Sequence, residues 1–424
     1  MSRPASASGS VSNGKPSVPR APKGTDDVLP PASERWRTLL RAFEDLAGRF
    51  GYGLVMTPLF ELTELFARGV GEETEVVEKQ MYTFEDKAGR SLTLRPEATA
   101  SVVRAYLAAG LQGVFKGYYT GPMFRYEQPQ SGRRRQFHQV GVEYLAETSP
   151  DADVEVIELG HRLLSDVGIT DARVRLNSIG DAADRAGYRD TLAAFLTERL
   201  DALSEDARRR VATNPLRVLD SKADSGVVAG APAPLDHLGP AADAHFEAVR
   251  RGLERRGIPF EITPTLVRGL DYYNRTVFEY VSASWDAAQD ALGGGGRYDP
   301  LAGILGGPEV PGVGLAMGVD RIVAAMPELP AAGLDVFVAV ADPGRRPEAL
   351  GLLASLRQTG ISADADLGGR SLKAQFRLAG RRGARVVAVV GEEWAQGEVT
   401  VKDMAGGDEQ RVRIEEVPGW ATHR

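Results

Sequence analysis

No cysteine occurs anywhere in the chain, which excludes disulfides and thiolate metal sites, and with them a secreted scaffold held together by cross-links. Histidine is nearly as scarce: only His138, His161, His237, His245 and His423 occur, and no two have the spacing of a helical zinc motif, so no metal site is expected. Long apolar runs are missing too. No uninterrupted stretch reaches the roughly 18 residues that a membrane-crossing helix needs, so no membrane contact is expected and a cytoplasmic location is the default. Nor is there an excess of positive charge. The 51 basic and 58 acidic residues leave a formal net charge of −7, so the molecule as a whole is no electrostatic trap for nucleic acid, and any such contact must be local.

The chain has the makings of an ordinary globular protein: 424 residues, 43% hydrophobic and 26% charged, suffice for two or three domains with a sizeable core. Residues 1–21, rich in Ser, Pro, Gly and Ala and without a signal-peptide apolar run, read as a disordered tail. After Pro31-Ala32-Ser33-Glu34, the residues Trp36, Leu39, Leu40, Phe43, Leu46 and Phe50 recur at helical spacing, and the stripe ends at Gly51-Tyr52-Gly53. Leu54 to Thr57 predicts a short strand stopped by Pro58, and Phe60 to Phe66 a renewed helix. Strand-like runs at 81–84, 91–94, 115–120 and 136–145, interrupted by a helix over 99–109, predict an antiparallel sheet. From about 181 to 257 the texture turns to Ala, Arg, Asp and Leu with helical periodicity, a mostly helical insertion. Residues 327–333 have linker composition, and 334–424 alternate strand and helix in the manner of a small α/β domain.

Six segments carry residues that a plain fold would not need. Leu266 to Tyr280 has strand propensity, yet Arg268, Asp271, Asn274, Arg275 and Glu279 are costly to bury; an edge strand with a solvated face is the plainer alternative. Glu97 and Thr99 stand at a strand-to-helix turn, either as helix caps or as groups converging on a ligand. Gly121 to Glu143 reads as strand, loop, strand. Its Arg125 and Arg133 offer fork-shaped donors suited to phosphate, and Phe137 a face for stacking, whereas a charged hairpin tip leaves the alternation of Phe137, Gln139 and Glu143 unexplained. Gly293 to Asp299 is a glycine run, on its face a flexible turn. Val313 to Ile322 suggests a strand feeding a helix, with Arg321 near a ligand or in a surface ion pair. In the last domain Arg370, Lys373, Arg377, Arg381, Arg382 and Arg385 fall within 16 residues that contain no acid, a solvated face or a nucleic-acid phosphate contact.

In their order these segments resemble the histidyl-tRNA synthetases, of bacterial type, among the class II aminoacyl-tRNA synthetases. The long helix, strand and Pro58 are similar to the first class motif, Gly121–Glu143 to the second in its histidine-specific form, and Val313–Ile322 to the third. Leu266–Tyr280 and Gly295-Gly296-Arg297-Tyr298-Asp299 resemble the two histidine-specific elements. The resemblance implies an α+β catalytic domain built on an antiparallel sheet over 22–326, with the insertion at about 181–257, and a C-terminal α/β anticodon-binding domain over 334–424. It implies a homodimer formed through the first motif, ATP accompanied by Mg²⁺, and histidine and histidine tRNA as the other substrates.

By the same resemblance Glu97 and Thr99 hold the α-amino group of histidine, and Gln139, Glu143, Tyr272 and Tyr273 line its pocket. Arg125 binds both the α-phosphate and the histidine carboxylate; Glu127, Arg133, Phe137 and Arg321 serve ATP. Arg268 is the catalytic cation beside the α-phosphate, in contact with histidine, with Arg125 assisting. Gln130 and Arg135 are offered to the acceptor stem, and Arg134 reads as a solvated charge. Two departures stand out: Ala98 replaces the usual Gly, which would be strained if the backbone needs positive φ, and Asp320 replaces Glu with its charge kept. The rival reading is the synthetase-like regulatory subunit of ATP phosphoribosyltransferase, which typically lacks the C-terminal domain and has lost the catalytic Arg segment; both are present here.

Overall fold

The stripe that begins at Trp36 forms helix α1 (Ser33–Arg49), which buries Leu39, Phe43, Leu46 and Ala47. In this computed structural model the described residues are 18–422 apart from 72, 73, 75, 129–132, 220, 284, 286–290 and 329–332. The expected disordered tail, save residues 18–21, lies outside them, as do Gln130 and most of the expected linker. The chain divides into two units, residues 1–327 and 328–424.

In the first unit β1 (Gly53–Leu54) is followed by β2 (Phe60–Leu62) and helix α2 (Thr63–Val70). The helix expected from Phe60 therefore starts three residues late. Phe60, Glu61 and Leu62 pair instead with Leu94, Thr93 and Leu92, a case of tertiary pairing overriding a short local pattern. Strands β3 (Tyr82–Glu85) and β4 (Ser91–Leu94) complete a small sheet in the order β2-β4-β3, separate from the main one, and β4 leads into α3 (Thr99–Ala108).

The main sheet is built around the hairpin β5 (Phe115–Phe124) and β6 (Gln136–Leu145). Helix α4 (Pro150–Asp166), capped by the Ser149 hydroxyl, and strand β7 (Arg173–Ser178) precede the insertion, whose helices are α5 (Ala182–Thr197), α6 (Glu205–Thr213) and α7 (Ser225–Val228). Helix α8 (Pro240–Arg255), read from sequence as its last part, packs instead on α4, with His245 against Asp153 at 3.2 Å. Strands β8 (Phe260–Ile262), β9 (Asn274–Val281) and β10 (Ala291–Arg297), helix α9 (Leu301–Ile304), strand β11 (Gly312–Gly318) and helix α10 (Val319–Ala325) follow. The strand order is β1-β5-β6-β11-β10-β9-β7-β8, antiparallel except for parallel pairs at its two edges, β1 with β5 and β7 with β8.

The glycine run is not a turn. It is the centre of β10, between β9 and β11, and a Cβ on Gly295 would collide with the carbonyl of Gly314. Only glycine allows the strands to meet there. The insertion shares a core with the site region: Tyr188, Leu192 and Leu196 of α5 pack in one cluster with Tyr272, Tyr273 and Val277.

The second unit has β12 (Val336–Val340), α11 (Arg346–Gln358), β13 (Ala363–Ala365), α12 (Leu372–Arg381), β14 (Val386–Val390), β15 (Glu398–Asp403), β16 (Glu409–Arg413) and α13 (Val417–Thr422). Its sheet runs β13-β12-β14-β15-β16, with the first three strands parallel and the last two antiparallel. The parallel strands are near-continuous apolar runs, as strands covered on both faces must be.

Candidate active site

The β4–α3 turn, the β5–β6 hairpin, the 267–273 loop, β9, β10 and the β11–α10 junction enclose a cavity of about 330 Å³. Most of the site residues expected from sequence meet here: Glu97, Thr99, Arg125, Glu127, Arg133, Phe137, Gln139, Arg268, Tyr272, Tyr273 and Arg321 all line it. Arg135 does not. Its guanidinium lies 4.1 Å from the Tyr126 ring centre and its backbone N–H donates to Gly24 O at 2.8 Å.

The cavity has two chemically distinct ends. One carries five guanidiniums, Arg125, Arg133, Arg134, Arg268 and Arg321, against the carboxylates of Glu127, Glu279 and Asp320, a surplus of positive charge. The other carries carboxylates and tyrosines. Glu97 settles the choice between cap and ligand group by being placed for both: its oxygens accept the N–H groups of Thr99 at 2.6 Å and Ala100 at 3.0 Å, and it still lines the cavity. Burial pushes its carboxyl up, against the pull of those N–H donors. Ala98 has φ −109°, an ordinary conformation for an L-residue, so it introduces no strain; its methyl packs with Val102, Tyr119 and Met123.

Glu143 lies one layer beneath the cavity surface. The Thr99 hydroxyl donates to its Oε1 at 2.7 Å and the Tyr298 hydroxyl to its Oε2. Burial raises its carboxyl to about 8, and the two hydroxyl donors oppose that only in part. The unfolded chain titrates near 4.5 and the folded one near 8, so the contribution of this group to stability is complete below the lower value and lost as pH rises through the higher one. In ligand-free protein the thermal midpoint, relative to that of a Glu143→Gln variant, should therefore fall between about pH 5 and about pH 9. A difference that stays flat across that range in calorimetric melts would contradict the assignment.

The charged segment of the sequence is strand only from Asn274 onward; Val267 to Tyr273 is irregular backbone wrapped on the cavity wall. Each charge has a protein partner. Arg268 forms a close ion pair with Glu279, Arg217 donates to Asp271 at 2.9 Å, Asn274 bonds Asp299 at 2.9 Å, and Arg275 clasps Asp181 at 2.7 Å. Burial works against the charge on Arg268, and Glu279 together with Tyr273 and Tyr272 more than offsets it. The Arg125 Nε donates to Pro96 O at 2.9 Å with its guanidinium 5.4 Å from the Phe137 ring, and burial lowers its pKa, as it does that of Arg321. Arg321 is no surface ion pair: it reaches inward to donate to Ala291 O at 2.8 Å. Arg134 is not a free solvated charge either, since it pairs with Asp26 and, at 3.4 Å, with Asp320.

Tyr119 and Tyr298 carried no assigned role in the sequence. The Tyr119 hydroxyl and the Gln139 Oε1 are both buried in the cavity wall without a hydrogen-bond partner among the described residues, a cost that a bound polar ligand would remove. Tyr119 finds its space opposite Gly141 on β6, a pairing visible only once the hairpin register is known.

In the second unit the basic run separates into two sets. Arg370 pairs with Asp366 at 3.0 Å, Arg382 with Asp364 at 2.8 Å and Arg385 with Asp335 at 2.6 Å. Lys373, Arg377 and Arg381 stay exposed along α12, with no carboxylate in ion-pair reach among the described residues.

Comparison with known proteins agrees with this geometry. The family model described as "Histidyl-tRNA synthetase" matches residues 24–322, and the one described as "Anticodon binding domain" matches residues 335–424. A histidine–tRNA ligase of Desulforudis audaxviator (strain MP104C) is 48% identical, over 93% of this chain and 96% of that protein. The apo histidyl-tRNA synthetase of S. aureus superposes with a TM-score of 0.79 at 34% identity, covering 96% of this chain and 100% of that one. The same fold, at 23% identity and a TM-score of 0.65, occurs in a Bacillus halodurans protein titled an ATP phosphoribosyltransferase regulatory subunit/histidyl-tRNA synthetase, over 89% of this chain and 100% of that one.

Proposed function

The chain belongs to the histidyl-tRNA synthetase family, whose ATP-dependent joining of histidine to tRNA is its activity, and on that premise we propose how its cavity divides the work. The observation that carries the proposal is the opposed polarity of the two ends: carboxylates and hydroxyls where an ammonium and an imidazole would bind, guanidiniums where a triphosphate would lie. The histidine α-ammonium is held by Glu97, with Thr99 beside it. The imidazole faces Tyr272, Tyr273, Gln139 and Tyr119, with Glu143 as the buried acceptor beneath. A carboxylate next to an imidazole reads its N–H and rejects apolar side chains that would leave the acceptor unpaired.

Arg125 binds the α-phosphate and the substrate carboxylate at the junction of the two ends. Glu127 and Arg133, 3.4 Å apart, and Arg321 bind ATP, and the Phe137 ring stacks on adenine. Glu127 and Glu279, both in the cavity lining, are the hard oxygen ligands that would hold a Mg²⁺ accompanying ATP, and its charge would offset that of the phosphates. Attack of the histidine carboxylate on the α-phosphate brings two anions together, and Arg268 beside that phosphorus stabilises the pentavalent arrangement more than the separate reactants. Pyrophosphate leaves, and the histidyl group passes to the 3′ end of the tRNA. Purified protein with Mg²⁺ should catalyse histidine-dependent exchange of pyrophosphate into ATP; absence of exchange in folded protein would refute this assignment.

We also assign residues 22–326 to catalysis and 334–424 to anticodon binding, where Lys373, Arg377 and Arg381 meet tRNA phosphates; in the acceptor-stem contact, Arg135 supports its loop. Gln130 lies outside the described residues. The protein acts as a cytoplasmic homodimer. The support for a dimer is the segment after α1, where Leu54, Met56, Leu59, Phe60 and Leu62 are between 45% and 86% exposed beside the edge strand β1; so much contiguous apolar surface at a sheet edge calls for a cover. Met56→Glu is expected to shift the protein toward monomer in sedimentation velocity, and an unchanged profile would count against this interface.

A further inference from the structure

A second cavity, of about 480 Å³, shares Val267, Arg268, Leu270 and Tyr273 with the first and is otherwise walled by α5 and residues 213–217 of the insertion. Three insertion arginines line it. Arg217 donates to Asp271 at 2.9 Å, and the charge on Arg268 is answered by Glu279. Arg185 and Arg189 differ: among the described residues neither has a carboxylate in ion-pair reach. Arg185 donates to Tyr273 O at 2.8 Å while its Nε is buried without a partner, and Arg189 donates to Thr213 O at 3.0 Å. Burial lowers the pKa of Arg185; the nearby carboxylates of Asp271 and Asp181 oppose that in part, and the charge of Arg189 adds to it more weakly. Ile179, Leu216, Val267 and Leu270 supply the apolar part of the lining.

We propose that this cavity is a nucleotide subsite for the single-stranded 3′ end of the tRNA, with Arg185 and Arg189 on a backbone phosphate and the apolar lining against a base or ribose. The proposal rests on the ligase reading, which supplies the occupant. A pair of guanidiniums that no carboxylate among the described residues meets in an ion pair suits one phosphodiester. The apolar lining suits the remainder of a nucleotide, as in sequence-tolerant single-strand grooves. Asp271 disfavours the more highly charged pyrophosphate, the other anion of the reaction. Because Arg185 holds the carbonyl of Tyr273, an occupied subsite also bears on the loop that carries Arg268.

The test compares full-length wild type, Arg189→Glu and Arg189→Lys in two assays. Histidine-dependent pyrophosphate exchange needs no tRNA and is expected to stay within about twofold in all three, while kcat/KM for tRNA aminoacylation falls about tenfold or more in Arg189→Glu and recovers in part in Arg189→Lys. The salt dependence of tRNA binding should lose about 0.7 of log–log slope in Arg189→Glu, the share of one single-strand phosphate. Unchanged aminoacylation overturns the subsite. So does a parallel loss of exchange, which would make Arg189 a support of the adenylation site. A raised KM for pyrophosphate with normal tRNA kinetics also overturns it, by giving the cavity to the leaving group. Failure of the wild type to exchange pyrophosphate at all would instead strike the ligase reading itself.

Discussion

Replacing Arg268 with alanine is expected to slow histidine-dependent pyrophosphate exchange by about 10³-fold while changing histidine affinity, measured by calorimetry, by less than about tenfold. The asymmetry follows from where charge develops. In the ground state the phosphates are already met by Arg125, Arg133 and Arg321, whereas the crowding of carboxylate and phosphate occurs only at the transition state. The structure adds a second cost: Arg268 neutralises Glu279, so its removal takes the close cation away from a carboxylate that lines the cavity. Exchange within about tenfold of wild type in this variant would remove Arg268 from catalysis.

Glu143→Gln should lower kcat/KM for histidine by about 10²-fold and leave KM for ATP within about threefold, because hydrogen bonds to a charged group are worth about 1.5–3 kcal/mol and this one lies at the amino-acid end only. The substitution keeps the volume. It does not keep the chemistry, since the two hydroxyls of Thr99 and Tyr298 both donate to the carboxylate, and an amide presents a donor to one of them. Steady-state exchange kinetics with each substrate varied decide the matter; an equal loss for ATP and histidine would point to a general disturbance of the cavity and not to imidazole recognition.

The degree to which the site was legible differs from residue to residue for physical reasons. Phe137 and Gln139 alternate on β6, where the period of two aims side chains at a common face, and Arg125, Glu127 and Arg133 stand in the connection that joins β5 to β6. Glu97 and Thr99 were legible as a turn, but not which would cap: the carboxylate holds the backbone N–H groups and the hydroxyl turns to Glu143, 44 positions away. Tyr119, Tyr298 and Glu279 gained a place in the site only from sheet register. The charged segment was misread as continuous strand because aromatic and β-branched residues carry strand propensity whether or not a neighbour is there to pair, and residues 267–273 have none. The four glycines of β10 were ambiguous alone and become necessary between two strands.

By itself the sequence determined the chemistry on offer: no thiols, no membrane helix, two units of different texture, and a set of motifs whose order pointed to this family. Those are properties of residue type and spacing, which local physics expresses without help. Tertiary structure alone decided which charges are consumed within the protein and which face a ligand. Asp271, Arg275 and Arg370 look as available in sequence as Arg377 or Lys373, yet each is taken by a partner 54, 94 and 4 residues away respectively. An ion pair depends on distance in space, and most of these distances are set only when the sheet and the insertion close on each other.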